Sequence, residues 1–111
     1  MAHLNDEEAY EILAPRVDSA VTRMPTMGFS TKELIEQLRS DQDGEGAYQR
    51  ALAILHQEGA NEHMARMVLH GQIVPGLLRR SPMVRFGGFI HGDPSQDDGF
   101  GVPSRWRRDL V

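Results

Sequence analysis

Seven residues in the second half of the chain carry side chains suited to meeting an anion: Gln72, Arg79, Arg80, Arg85, Arg105, Arg107 and Arg108. An arginine guanidinium is planar and always charged, and it forks onto a phosphate or onto the edge of guanine with two parallel donors. Glutamine can pair in the same two-pronged way with adenine. Eleven of the twelve basic residues are arginine, a bias that a G- and C-rich genome would also produce. The charge is unevenly spread along the chain. Residues 1–62 hold twelve acids and five bases and residues 63–111 four acids and seven bases, a balance of −7 against +3 within a net charge of −4. Such asymmetry suggests one face for an anion and another for a different contact. The bland alternative is a solvated edge-strand face whose charges discourage aggregation.

Other chemistry is weaker. His56, His63 and His70 recur every seven residues and would line up on an unbroken helix, but Gly59 interrupts the first pair. There is no cysteine and only Glu62 lies close by, so no tetrahedral metal site is expected. Asp41, Asp43 and Glu45 alternate like a calcium loop, yet the twelfth position falls on Leu52, which cannot ligate. Asp93, Ser95 and Asp97 do the same, with Asp98 where glycine belongs and Ser104 where glutamate belongs. No phosphate-binding loop, dinucleotide fingerprint, nucleophile elbow or His-Glu-x-x-His run is present. An enzyme is not expected, nor is a cofactor.

The elements that must position the arginines can be read from periodicity. The 111 residues suffice for one domain spanning 1–111 with one modest core. A helix over 5–24 places Tyr10, Leu13, Val17, Ala20, Val21 and Met24 on one face, with Asn5 as cap and Pro15 kinking or dividing it. Phe29-Ser30-Thr31-Lys32-Glu33-Leu34 is the sharpest local signal, a capping box inside a hydrophobic staple. It predicts a helix over 31–39 that buries Leu34, Ile35 and Leu38. Residues 40–46 read as a polar loop. A helix over 47–57 follows, stopped by Gly59, and then a short one capped by Asn61 with Met64, Met67 and Val68 inward. Gly71 reads as a break. Residues 72–81 form a short helix with Ile73, Val74, Leu77 and Leu78 inward and Pro75 in its first turn. The strand-like run 83–90 points Val84, Phe86, Gly88 and Ile90 one way and Arg85, Gly87 and Phe89 the other. A turn-rich tip, 91–99, leads back to Ser104-Arg105-Trp106-Arg107-Arg108, where Trp106 is the expected core anchor. The fold class is therefore mainly α with a C-terminal β-hairpin. No run approaches the roughly 18 apolar residues of a membrane span, and residues 1–8 lack signal-peptide character, so the cytoplasm is the expected compartment.

That order of pieces resembles a prokaryotic winged helix-turn-helix domain with one or two inserted helices. Phe29-Ser30-Thr31-Lys32-Glu33-Leu34 matches the start of the second helix. Leu77-Leu78-Arg79-Arg80-Ser81-Pro82-Met83-Val84 matches a recognition helix running into the wing, and Trp106-Arg107-Arg108 the closing strand of the wing. The resemblance covers about half the chain and is to a superfamily, not to one family. It implies a small DNA-binding transcriptional regulator, dimeric, that reads the major groove of double-stranded DNA with helix 72–81. Gln72, with His70 beside it, would meet base edges, Arg79 and Arg80 guanine or phosphate, and Arg85, Arg105, Arg107 and Arg108 the backbone. The helices within 45–70 are extra to the pattern and either form a dimer interface or supply the third helix. Asp93, Asp97 and Asp98 would repel phosphate at the wing tip. A protein-interaction module on the same fold is the alternative. It would bind a protein partner through the acidic N-terminal helix or the 93–98 loop. The N-terminal helix, through Tyr10, Leu13 and Val17, is the candidate homodimer surface.

Overall fold

The computed structural model describes residues 6–90, 94–96 and 103–108. The fold is mainly helical with a small antiparallel sheet. Its elements are α1 (Asp6–Arg23), β1 (Gly28–Ser30), α2 (Thr31–Leu38), α3 (Gln42–Gln57), α4 (Glu62–Val68), a π-helical turn (Leu69–Ile73), α5 (Val74–Arg80), β2 (Val84–Phe89), a 3-10 turn (Pro94–Gln96) and β3 (Ser104–Arg108). The Asn5 cap expected at the start of α1 lies outside the described residues. Among the described residues no helix is long and apolar enough to cross a membrane.

α1 is one helix that contains Pro15, not two pieces. Ala9, Leu13, Val17, Ala20 and Val21 are buried at its core-facing side, packed chiefly on α3. Fully burying a Leu or Val side chain contributes about 1.5–3 kcal/mol. Leu13 and Val17 thus belong to the core of their own chain, which corrects their assignment to a surface for a second copy.

α3 begins five residues earlier than its apolar pattern implied. Asp41 caps it, accepting from the Gly44 amide at 2.6 Å, and Asp43 and Glu45 occupy the first turn, where the helix dipole favours acids. Gly44 is required by space: a Cβ there would stand 1.8 Å from the backbone carbonyl oxygen of Leu38. The glycine marks a close approach of α3 to the end of α2, not a loop. α3 ends as expected. Gly59, at φ +100°, follows the cap, and the amides of Gly59 and Ala60 donate to the His56 and Leu55 carbonyls at 3.0 and 3.1 Å.

The helix from Glu62 to Arg80 does not break at Gly71. It widens into a π-helical turn, with the Val74 amide reaching back five residues to Leu69. Pro75 accounts for the widening. It has no amide for the carbonyl four residues earlier, and its ring would collide with that carbonyl in a regular helix. The short first helix also turns differently from its expected face. Ala65 is buried, whereas Met64 and Met67 stay 51% and 45% exposed.

The sheet has the order β1-β3-β2, all pairs antiparallel, so the last strand lies in the middle. Gly28–Ser30, just ahead of α2, thus adds a third strand beside the expected hairpin. Trp106 pairs with Phe29 on one side and Phe86 on the other and is fully buried. The start of α2 ties the sheet down. Ser30 caps Glu33 at 3.1 Å, the Glu33 carboxylate accepts from the Ser30 amide at 2.9 Å, and the Ser30 hydroxyl also donates to Gln96 Oε1 at 2.6 Å. Trp106 Nε1 donates to Thr31 Oγ1 at 2.8 Å, which lies 2.6 Å from Ser104 Oγ. Lys32 Nζ donates to the Ser95 carbonyl at 2.7 Å. The capping box is therefore also the anchorage of the hairpin.

Candidate nucleic-acid interface

Strand alternation sorts the basic residues of the sheet. On β3, Ser104 and Trp106 are buried and Arg105 and Arg107 exposed. On β2, Val84 is buried and Arg85 exposed. Arg85 stands opposite Arg107, and Arg105 is two residues along the same strand and face. Three guanidinium groups thus share the face of the sheet turned away from the helices. Like charges directly opposite each other destabilise a sheet. Among the described residues, neither Arg105 nor Arg107 has an ion-pair partner.

Arg108 turns the other way. Its Nη1 donates to the carbonyls of Val21, Thr22 and Met24 at 3.1, 3.3 and 3.2 Å, at and just past the end of α1, where helical carbonyls run short of amides. Its cation also sits at the negative end of the α1 dipole. Expected on phosphate, it instead caps a helix within its own chain.

The α5 residues separate as well. The Arg79 guanidinium lies 5.7 Å from the Phe86 ring and 5.9 Å from the Trp106 ring, where the helix meets the sheet. Arg80 points to α1, 4.4 Å from the Tyr10 ring. Gln72 is exposed, and its carbonyl accepts a long 3.4 Å bond from the Tyr10 hydroxyl. Gly76 lets Tyr10 approach, since a Cβ there would stand 2.5 Å from the Tyr10 hydroxyl. The seven candidates therefore fall into five places: Arg85, Arg105 and Arg107 on the sheet, Arg79 where α5 meets the sheet, Arg80 against α1, Gln72 in the π-helical turn, and Arg108 at the end of α1.

His70 does not face a groove. It is buried in the π-helical turn with its Nε2 2.7 Å from the Tyr48 hydroxyl. Arg66 donates to the same phenol oxygen at 2.8 Å. Burial raises the Tyr48 pKa above its ordinary value, the nearby Arg66 and Arg39 opposing. Arg39 stacks 4.2 Å above the Tyr48 ring and holds Glu45, and that hydrogen bond draws the Glu45 carboxyl below the usual glutamate range. His56 is engaged elsewhere, its Nδ1 2.9 Å from the Ala60 carbonyl. Among the described residues no three His, Asp or Glu side chains gather in a way that could hold a metal ion.

A groove of about 340 Å³ runs between α1 and the end of α5, with Glu7, Glu11 and Asp18 on one wall and Arg80 and Pro82 on the other. Ser95 and Gln96 of the hairpin tip reach the start of α2, while Asp93, Asp97 and Asp98 lie outside the described residues.

One feature of the interface departs from the alternation rule. That rule puts Phe89 beside Arg85, but Phe89 pairs with Ser104 after an irregularity in register between Phe86 and Phe89. Gly88 takes φ +100° there. The two rings end on one face, 5.2 Å apart, and 44% and 51% exposed. The Gly87-Gly88 pair is the signal that marks it, because glycine inside a strand flags a bulge. The chain matches no family model, no curated protein and no solved structure.

Proposed function

We propose that this chain is a small DNA-binding protein of the winged helix-turn-helix type that contacts duplex DNA with α5 and the β2–β3 hairpin, as a transcriptional regulator acting as a homodimer in the cytoplasm. The observation that carries the reading is the row of Arg85, Arg105 and Arg107 on one face of the sheet, with two of the three in direct register. Arg105 and Arg107 have no ion-pair partner among the described residues, and a phosphate backbone would supply one to each. The order helix–strand–helix, then a helix leading straight into two strands, with β3 between β1 and β2, supports the winged reading. In it α3 is the inserted helix, and Arg79 and Gln72 are the exposed polar residues of the recognition helix. Arg108 is excluded from the contact set by its place on α1. Phosphate contacts of this kind fix position and carry no sequence information, so any base reading falls to Gln72 and Arg79.

The test is fluorescence anisotropy of labelled duplexes at two salt concentrations, with the wild type and an Arg105→Ala/Arg107→Ala variant. Binding should weaken steeply with salt. The double variant should flatten the log–log slope by about 2, roughly 0.9 for each phosphate no longer neutralised. Absence of duplex binding at low salt refutes the proposal. A second reading, a non-enzymatic adaptor, is favoured by the groove lined with Glu7, Glu11 and Asp18, whose charge suits a basic peptide. It requires a partner whose capture fails when those three acids are neutralised and survives removal of the Arg105 and Arg107 side chains.

A further inference from the structure

We propose that Phe86, Phe89 and Arg79 form a stacking site for unpaired bases, so that the protein also holds single-stranded DNA. The inference rests on the DNA reading above and extends it from duplex to single strand. Regular alternation would place Phe89 on the outer face with Arg85. The irregular register, with Gly88 at φ +100°, brings it instead onto the face of Phe86. The ring centroids lie 5.2 Å apart with the planes at 70°. Behind them Phe86 meets Trp106 edge-on at 5.3 Å, and Trp106 is fully buried. The core is thus closed by Trp106, and the two phenylalanines stay about half exposed beyond it. Bulges commonly re-aim a side chain.

The charge beside the rings identifies the occupant. Arg79 stands 5.7 Å from the Phe86 ring and has no acidic partner among the described residues. An aliphatic partner surface would bury this cation without a counter-charge, which is costly. A nucleotide brings a flat ring for the phenylalanines and a phosphate for the guanidinium in one unit. Within a duplex the faces of the bases are already stacked and out of reach, so the bases that fit are unpaired ones.

The experiment compares a labelled single-stranded oligonucleotide carrying 2-aminopurine with a duplex of matched sequence, by anisotropy and by 2-aminopurine fluorescence. The variants are Phe89→Leu, which keeps apolar bulk without a π face, and Phe89→Ala. Equal urea midpoints for wild type and Phe89→Leu establish that the fold is intact. The wild type should bind the single strand and quench the 2-aminopurine. Phe89→Leu should weaken single-strand binding by about 5- to 150-fold, the range of one base–aromatic stack, and abolish the quenching, with duplex affinity changed less than twofold. Single-strand binding that is equal in wild type and Phe89→Leu overturns the stacking site. Duplex binding with no single-strand binding overturns it too, and leaves the duplex reading standing. Single-strand binding with no duplex binding refutes the duplex reading and keeps the site. Failure to bind either form ends both.

Discussion

Thr31→Val removes one oxygen from the point where α2, the hairpin and the core meet. Trp106 Nε1 donates to Thr31 Oγ1 at 2.8 Å, and Ser104 Oγ lies 2.6 Å from the same oxygen. The residues involved are 0%, 6% and 3% exposed for Trp106, Thr31 and Ser104, so water cannot replace the missing partner. Valine keeps the shape and the β-branch at the first helical position. The indole N–H is then left facing a methyl group, and a buried unsatisfied donor costs about 1–3 kcal/mol. Ser104 is deprived of a partner as well, worth about 1 kcal/mol more, for a total of about 2–4 kcal/mol. Thr31→Ser keeps the hydroxyl and gives up one methyl, about 1 kcal/mol. The expected order of stability is therefore wild type, serine, valine, although valine preserves the packed volume and serine does not. Urea unfolding followed by the fluorescence of Trp106, the sole tryptophan, reads this directly. At a mid-range slope of about 2 kcal/mol per molar, Thr31→Val should lower the midpoint by about 1–2 M. A valine variant as stable as the serine variant would show that the hydrogen-bond chain is not what fastens the hairpin.

Gly44→Ala should destabilise by about 3 kcal/mol or more, because its Cβ would meet the Leu38 carbonyl, a backbone atom that cannot swing aside; an unchanged thermal midpoint would refute the close approach. Arg108→Met should cost about 1–2 kcal/mol by stripping donors from the end of α1, while leaving the salt dependence of DNA binding unchanged. A flattened salt slope in Arg108→Met would return that arginine to the phosphate contacts. The Glu45 carboxyl is held below its ordinary value of 4.5 by the Arg39 hydrogen bond. Its stabilising contribution is therefore complete above pH 4.5 and disappears as pH falls through the lowered value. With both side chains more than a third exposed or close to it, at 37% and 35%, solvent screening keeps that contribution under about 1 kcal/mol. Glu45→Gln should lower stability at pH 7 by that small amount, and the gap should narrow as pH falls below 4.5; a gap that stays constant down the acid range would mean the effect is not electrostatic.

Local chemistry in the sequence predicts much of this architecture. The capping box at Ser30 and Glu33, the Gly59 stop and the anchoring of Trp106 each depend on a few neighbouring residues or on one large apolar ring, and each forms as expected. The misses involve groups distant in sequence. Gly44 reads as loop punctuation because the constraint on it comes from the carbonyl of Leu38. Gly71 and Pro75 read as a boundary because a π-helical turn, which absorbs the proline, has no signature in apolar spacing. Met64 and Met67 sit at helical spacing yet face solvent, since the neighbouring Ala65 and Leu69 fill the space against the core. Among the candidate site residues, strand alternation places Arg85, Arg105 and Arg107 together. It also groups Phe89 with them, because a bulge reverses facing without altering composition. The destination of Arg108 depends on where α1 ends in space, a tertiary fact that no local pattern encodes.

The middle position of β3 has a consequence for how the chain is made. β1 and β2 are not paired with one another; each is paired to β3. The Thr31–Trp106 bond spans 75 residues, and so large a closure must be accomplished before β1 joins the sheet and returns any stability. On the ribosome, at about 5–20 residues per second, the helices precede the central strand by a few seconds. Through that interval Phe29 and Val84 have no cover, and both flanking strands present open edges. Every molecule passes through this unsealed state once, on the nascent chain and not in the finished fold.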